Sequence, residues 1–201
     1  MPFQYDPDFF RVIEPHLEAI EQAKKLVPHD VKGRRVAFEE ERKLLAGLGR
    51  DSDATVTITQ HKVPSSCEDI SIFEFRPAVA SRTECDQHSA AIYHVHGGGI
   101  IMGTVMDNEA LLRSLSIDTG LPIFSVEYRL APEYQHPIPV TDVYTGLAWL
   151  SAQAASLKID PTRITLLGES AGGGIAAGAA ILARDRQLQP PLANQVLIRP
   201  C

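Results

Sequence analysis

The pattern Gly-Glu-Ser-Ala-Gly at residues 168–172 places Ser170 between small neighbours, as G-x-S-x-G. It follows a short apolar segment and precedes a Gly/Ala-rich segment of helical character. A tight strand-to-helix turn of this kind needs small residues and holds the serine hydroxyl out above a sheet. The pattern predicts a serine nucleophile for acyl transfer. The alternative interpretation is a glycine-rich turn whose serine only caps the helix.

A second motif, His-Gly-Gly-Gly at residues 96–99, follows another short apolar segment. Glycines let a backbone approach a ligand closely. An H-G-G-G loop donates backbone N–H groups to an oxyanion, together with the residue after the nucleophile. A phosphate-binding loop is the alternative, but it needs a Lys-Ser/Thr pair or a G-x-G-x-x-G frame, which is missing here. The two motifs together predict an acyl-transfer site that needs no metal or cofactor.

Strands and helices alternate along the part of the chain that carries these motifs. The predicted strands lie at 90–95, 121–128, 163–167 and 195–198, and the predicted helices at 108–118, 140–155 and 171–184. This alternation predicts right-handed βαβ units on a mostly parallel sheet flanked by helices, an α/β fold. Both motifs follow the carboxyl ends of predicted strands, where such sheets bind ligands.

The first part of the chain has a different pattern. Apolar residues fall near helical spacing in the first 50 residues, and β-branched residues then alternate with polar ones. The predicted elements are helices at 8–27 and 38–48, antiparallel strands at 54–60 and 70–75, and a polar surface loop at 77–89. The predicted organisation is a helical segment, residues 1–50, followed by an α/β core domain, residues 54–201.

Composition limits the classes of partner. The 201 residues carry a formal net charge of −6 without a basic run, which argues against nucleic acid. The amino terminus lacks the features of an export signal, and the Gly/Ala-rich stretch at 172–183 is too short to span a membrane. Three cysteines without CxxC spacing indicate neither a disulfide framework nor a metal site. They favour a reducing, cytoplasmic setting, in which Cys67 and Cys85 are expected to be inert.

Four segments in unbroken order resemble the hormone-sensitive-lipase-like branch of the α/β-hydrolases. They are HGGG at 96–99, EYRLAPE at 127–133, DPTRI at 160–164 and GESAGG at 168–173. The resemblance runs from about Ala54 to Pro200. It implies an α/β-hydrolase fold, a small acyl ester as substrate, hydrolysis of the carboxylesterase or lipase type, and a cap formed by the amino-terminal helices.

The resemblance also implies roles for single residues. Ser170 matches the nucleophile, and Gly98, Gly99 and the backbone N–H of Ala171 match the oxyanion hole. Structural support is expected from His96, Glu169, Arg129 and Glu133, with Asp142 in the same polar network.

The histidines near the motifs are not assigned to a catalytic triad. The His96 side chain is expected to shape the glycine turn by hydrogen bonding rather than to act as a base. For His94 and His136, solvated or capping roles are expected.

The triad partners of the serine are missing from this sequence. In this fold the order is Ser, then Asp or Glu, then His. After Ser170 the sequence holds one acid, Asp185, and no histidine. Asp185 lies about 20 Å along the predicted helix, at ~1.5 Å per residue, so it is not the triad acid. The expectation is a carboxy-terminally truncated hydrolase that lacks roughly 60–100 residues and is weak or inactive alone.

Other functions stay open at this point. One alternative is a non-catalytic module that binds an acyl or carboxylate ligand in the hydrolase pocket, as the related gibberellin receptors do. Another is a chain that completes its sheet with a second polypeptide, since an unpaired edge strand invites association. The acyl and alcohol preference and the oligomeric state are not predicted.

Overall fold

The computed structural model describes residues 5–18, 21, 25–27, 29–46, 55–65, 68–78 and 88–201. The chain divides into two compact units, Met1–Leu48 and Gly49–Cys201. Cys67, Cys85 and most of the predicted loop at 77–89 lie outside the described residues.

The first unit is helical. Helix α1 spans Pro7–Ile13 and is capped by the Asp6 carboxylate, and a 3-10 turn covers Glu14–His16. The prediction of one continuous α-helix from residue 8 is wrong at Glu14, because Pro15 has no N–H to continue the α-helical hydrogen bonds. Residues 17, 18 and 21 of that predicted helix are again α-helical, and residues 19, 20 and 22–24 are not described. The second predicted helix exists as α2, Val31–Ala46, and begins earlier than its apolar pattern indicated.

The second unit is built on a mixed sheet. Among the described residues its strands are β1 (Val56–Val63), β2 (Ile70–Pro77), β3 (Ser89–Val95), β4 (Ile123–Glu127), β5 (Ile159–Glu169) and β6 (Asn194–Ile198), in the order β1-β2-β4-β3-β5-β6. The helices are α3 (Glu109–Thr119), α4 (Ile138–Ala152) and α5 (Ala171–Asp185), and a 3-10 turn at Met106–Asn108 leads into α3. The pairs β1–β2 and β2–β4 are antiparallel, and all other pairs are parallel. The predicted mostly parallel α/β fold is confirmed.

Both faces of the sheet are covered by helices. Alternate side chains of β3 enter two different apolar clusters, with Tyr93 in one and Ile92 in the other. The Tyr93 cluster includes Leu147 of α4 and Ala176 of α5, and the Ile92 cluster includes Leu112 of α3. Each large apolar side chain buried in this way contributes roughly 1.5–3 kcal/mol. The helices therefore hold the central strands, and with them the strand ends that carry both motifs.

Among the described residues, no helix combines the length and apolar character that crossing a membrane requires.

Candidate active site

Ser170 forms the turn between β5 and α5. Its backbone has φ 51° and ψ −123°, a conformation that residues other than glycine rarely adopt. Four backbone hydrogen bonds hold it there: the Ser170 N–H donates to the Ile198 carbonyl (2.8 Å), and the Ser170 carbonyl accepts from the N–H groups of Gly173 (2.9 Å), Gly174 (3.3 Å) and Cys201 (3.3 Å). Ser170 itself is exposed. The strained turn therefore presents the hydroxyl at the carboxyl end of the sheet.

The two glycines of the serine motif are required by close backbone packing. A Cβ on Gly168 would lie 2.5 Å from the Gly172 carbonyl oxygen. A Cβ on Gly172 would overlap the carbonyl oxygens of Val95 and His96. The first turn of α5 therefore packs directly against the end of β3, where the glycine loop begins.

The glycine loop and the serine turn lie in contact, although they are far apart in sequence. A Cβ on Gly97 would be 3.4 Å from the Cβ of Ser170. Gly98 and Gly99 have positive φ angles of 121° and 62°. The loop closes where the Met102 N–H donates to the Gly98 carbonyl oxygen (3.0 Å). Ala171, the third predicted oxyanion residue, is buried as the first residue of α5.

His96 fixes the start of the glycine loop. Its side chain is fully buried, and Nδ1 donates to the Gly97 carbonyl oxygen at 2.7 Å. The ring stacks on Tyr128 with centroids 4.3 Å apart, and the Tyr128 hydroxyl donates to the His96 carbonyl oxygen (3.0 Å). Burial raises the pKa of Tyr128, so its hydroxyl stays protonated and keeps donating. These contacts leave the loop little freedom at its first residue.

Arg129 and Asp142 form a buried ion pair that ties the segment after β4 to α4. Nε and Nη2 of Arg129 donate to the Asp142 carboxylate at 2.8 and 2.6 Å, and the Arg129 N–H donates to it at 3.1 Å. The Asp142 side chain is completely buried, and that of Arg129 is 13% exposed. Glu133, predicted in the same network, is exposed.

Removing one partner of this pair is expected to destabilise the fold strongly. Asp142→Ala leaves the Arg129 charge buried without its carboxylate, which costs about 3–5 kcal/mol of the free energy of unfolding. Urea unfolding followed by circular dichroism measures the change. Asp185→Ala is the control, because Asp185 pairs with Arg184 at the surface and its loss costs less than about 1 kcal/mol. Equal effects of the two variants would contradict the prediction.

His94 is not in the expected environment. A solvated or capping role was expected, but the side chain is fully buried. Its Nδ1 lies 2.8 Å from the Ser125 hydroxyl, and its Nε2 lies 3.8 Å from Oε1 of Glu169, the half-buried last residue of β5. The expectation was wrong because β3 is a central strand, paired with β4 and β5 along its two edges, and helices cover both faces of the sheet. His136 is exposed, in line with its expected role.

Two groups near the motifs were missed by sequence reasoning. Cys201 Sγ lies 3.5 Å from Ser170 Oγ. Glu127, the last residue of β4, accepts the Val105 N–H at 2.9 Å, and burial, the largest cause, raises its pKa to about 7. Their positions in the sequence could have indicated both residues. Glu127 ends a strand and Cys201 follows one, and the carboxyl ends of these strands meet at one edge of the sheet.

The described residues contain no group of three or more His, Cys, Asp or Glu side chains that could hold a metal ion.

These features define an α/β-hydrolase: the sheet is mostly parallel, a serine lies on a strained strand-to-helix turn, and a glycine loop follows the neighbouring strand. The profile of a family described as "alpha/beta hydrolase fold" matches residues 92–201. The chain belongs to this family, and the resemblance to its hormone-sensitive-lipase-like carboxylesterases is confirmed.

Several relatives are named as esterases. An arylesterase of Saccharolobus solfataricus is 38% identical over 113 residues, which cover 56% of this chain and 36% of that protein. An ethyl acetate hydrolase of Pseudomonas putida is 32% identical over 193 residues, which cover 92% of this chain and 57% of that protein. The chain thus spans between about one third and three fifths of the length of these relatives.

Solved structures show the same fold. The hyperthermophilic esterase of Pyrobaculum calidifontis matches with a TM-score of 0.81 and 28% identity, over 99% of this chain and 60% of that chain. A bacterial heroin esterase matches with a TM-score of 0.74 and 30% identity, over 92% of this chain and 57% of that chain.

Proposed function

We propose that this chain carries the nucleophile and the oxyanion-binding groups of a serine carboxylic ester hydrolase. Ser170 Oγ attacks the acyl carbon of the ester and forms an acyl-enzyme, while the alcohol leaves with a proton. The N–H groups of Gly98, Gly99 and Ala171 stabilise the negative charge that develops on the carbonyl oxygen. The observation that carries this proposal is the contact of the exposed Ser170, on its strained turn, with the glycine loop at Gly97.

The proposed substrate is a small acyl ester. The names of the relatives, which include an arylesterase, an ethyl acetate hydrolase and a carboxylesterase, support this class. The helical segment of residues 1–50 is proposed to correspond to the cap segment that the family resemblance implies. Acyl transfer to a serine needs a nucleophile, oxyanion donors and a base, so the proposal includes no cofactor.

The proton acceptor for Ser170 is not assigned to the neighbouring histidines. Nδ1 of His96 is engaged by the Gly97 carbonyl oxygen and Nδ1 of His94 by Ser125, and their Nε2 atoms face carboxylates. We therefore propose that a polypeptide of residues 1–201 is a weak hydrolase when it acts alone.

Covalent labelling tests the nucleophile directly. Given excess reagent and long incubation, a fluorophosphonate is expected to add one phosphonyl group slowly to the chain, because the oxyanion donors favour reaction at Ser170 even without an assigned base. Peptide mass spectrometry should find the group on Ser170. Ser170→Ala should abolish the label. Ser156→Ala is the control, because Ser156 is an exposed serine away from the glycine loop, and it should label at the wild-type rate. A label that persists in Ser170→Ala would exclude Ser170 as the nucleophile.

A further inference from the structure

The glycines at residues 97–99 are held by the carbonyl groups on either side of them. The Tyr128 hydroxyl donates to the carbonyl oxygen of His96, directly before the glycines, at 3.0 Å. The Ala131 N–H donates to the carbonyl oxygen of Ile100, directly after them, also at 3.0 Å. Glycines have no side chains that packing could fix. These two flanking bonds therefore limit how far the N–H groups between them can move.

Both donors belong to the segment that follows β4, residues 128–131, which we call the brace. The brace is tied to α4, because the Arg129 N–H and guanidinium group donate to the buried Asp142 carboxylate. Tyr128 is buried as well, and its ring stacks on the His96 ring with centroids 4.3 Å apart. The brace is therefore a fixed support for the glycine loop.

The Ala131 hydrogen bond acts on a strained residue. Ile100 has a φ of 68°, which is unfavourable for a β-branched side chain. Such a conformation persists only where the surrounding structure enforces it. Ile100 and Leu130 of the brace both pack against the apolar cluster that contains Tyr93. Packing and the Ala131 bond together therefore enforce the bend that follows the glycines.

The His96 carbonyl oxygen is also close to the helix that carries the third oxyanion donor. A Cβ on Gly172 would lie 2.3 Å from this oxygen, so the first turn of α5 packs directly against it. Gly172 follows Ala171, whose N–H is proposed to bind the oxyanion together with those of the glycine loop. One carbonyl oxygen therefore lies between the Tyr128 hydroxyl and α5, where the two parts of the oxyanion site meet.

We propose that Tyr128 and Ala131 are positioning residues of the oxyanion site. Their two hydrogen bonds set the direction of the N–H groups of the glycine loop and the distance of these groups from the Ala171 N–H. Loss of either bond leaves the donors present but misplaced, which matters most when negative charge develops on the substrate. This inference rests on the proposed function, because the donors act on the reaction of Ser170.

Tyr128→Phe removes one of the two bonds and keeps the stacked ring. The limiting rate of fluorophosphonate labelling of Ser170, measured with saturating reagent, is expected to fall about five- to tenfold. The reagent concentration that gives half this rate should change less than about twofold, because the lost interaction acts in the transition state. Tyr93→Phe is the matched control, since this buried hydroxyl also donates to a backbone carbonyl, that of Val143 at 2.9 Å, away from the glycine loop. Both variants should lose similar stability in thermal melting, whereas Tyr93→Phe should label at the wild-type rate.

A backbone variant tests the second bond without changing any side chain. Lactic acid in place of Ala131 exchanges the N–H for an ester oxygen and so removes the donor to the Ile100 carbonyl oxygen. Labelling is expected to slow by a similar factor. The same replacement at Ala193, whose N–H donates to the Ile164 carbonyl oxygen at 3.2 Å, is the control and should leave the rate unchanged. This pair of esters decides the question if Tyr128→Phe does not fold.

Alkylation of Cys201 by iodoacetamide distinguishes misplaced donors from a damaged site. The Cys201 sulfur lies 3.5 Å from Ser170 Oγ, and displacement of iodide by a thiolate develops no oxyanion. Tyr128→Phe should therefore leave the alkylation rate, followed by peptide mass spectrometry, unchanged. The inference is overturned by a parallel fall in both rates, by equal labelling of Tyr128→Phe and Tyr93→Phe, or by equal labelling of the two esters; each of these leaves Ser170 as the nucleophile. Labelling that persists in Ser170→Ala overturns the proposed function instead.

Discussion

A polypeptide of residues 1–201 is expected to hydrolyse p-nitrophenyl butyrate about 10⁶-fold more slowly than a complete serine esterase, because loss of the base alone has an effect of that order. Among the described residues, the side-chain atom within hydrogen-bonding distance of Ser170 Oγ is the Cys201 sulfur, at 3.5 Å, and not an imidazole nitrogen. The remaining rate should come from the oxyanion donors and substrate binding. Steady-state release of p-nitrophenol, with a complete esterase in the same buffer, measures the difference.

Two controls locate the origin of that remaining rate. Ser170→Ala should reduce it to the rate without protein. Added imidazole should raise the rate of the wild-type chain but not of Ser170→Ala, because a free base can take the proton that no positioned histidine takes. Turnover at roughly 1–10³ s⁻¹, abolished by Ser170→Ala, would contradict the prediction. Cys201→Ala would then show whether the thiol supplies the missing base.

Gly98→Ala is expected to slow the labelling of Ser170 by about 10²–10³-fold, the effect of losing one oxyanion donor. A Cβ on Gly98 would overlap the Met102 carbonyl oxygen, and its φ of 121° is unfavourable for any residue with a side chain. The loop must therefore change shape to accept the methyl group, and the Gly98 N–H moves with it.

Gly99→Ala is the matched control for Gly98→Ala. Gly99 also has a positive φ, 62°, but the nearest atom to an added Cβ is Cγ1 of Ile101 at 3.8 Å. This variant carries backbone strain of roughly 1–2 kcal/mol without a clash, so we expect it to label less than about tenfold more slowly than wild type. Circular dichroism and thermal melting check that both variants fold. Equal slowing in the two variants would show that strain, and not the clash, controls the loop.

Features that depend on neighbours along the chain could be predicted from the sequence. The alternation of strands and helices predicted the mostly parallel sheet, because burial period and turn residues are local properties. The flanking glycines of Ser170 indicated a tight turn, and the structure shows which carbonyl oxygens approach them. The first helix was predicted as continuous because its apolar spacing continues past Pro15, whereas the structure has a 3-10 turn at Glu14–His16 before α-helical residues resume at Leu17.

Contacts between residues far apart in sequence were decided by strand order and register. His94 is buried because β3 lies between β4 and β5 in a sheet whose two faces are covered by helices, an arrangement that periodicity does not encode. Cys201 lies beside Ser170 because β6 pairs in parallel with β5, which brings the two strand ends together. Glu127 reaches His96 and Val105 for the same reason, since β4 pairs in parallel with β3. The hydrophobic pattern of the sequence determines which side chains are buried in the core. Which polar groups come into contact is determined only by the order and register of the strands in the packed sheet.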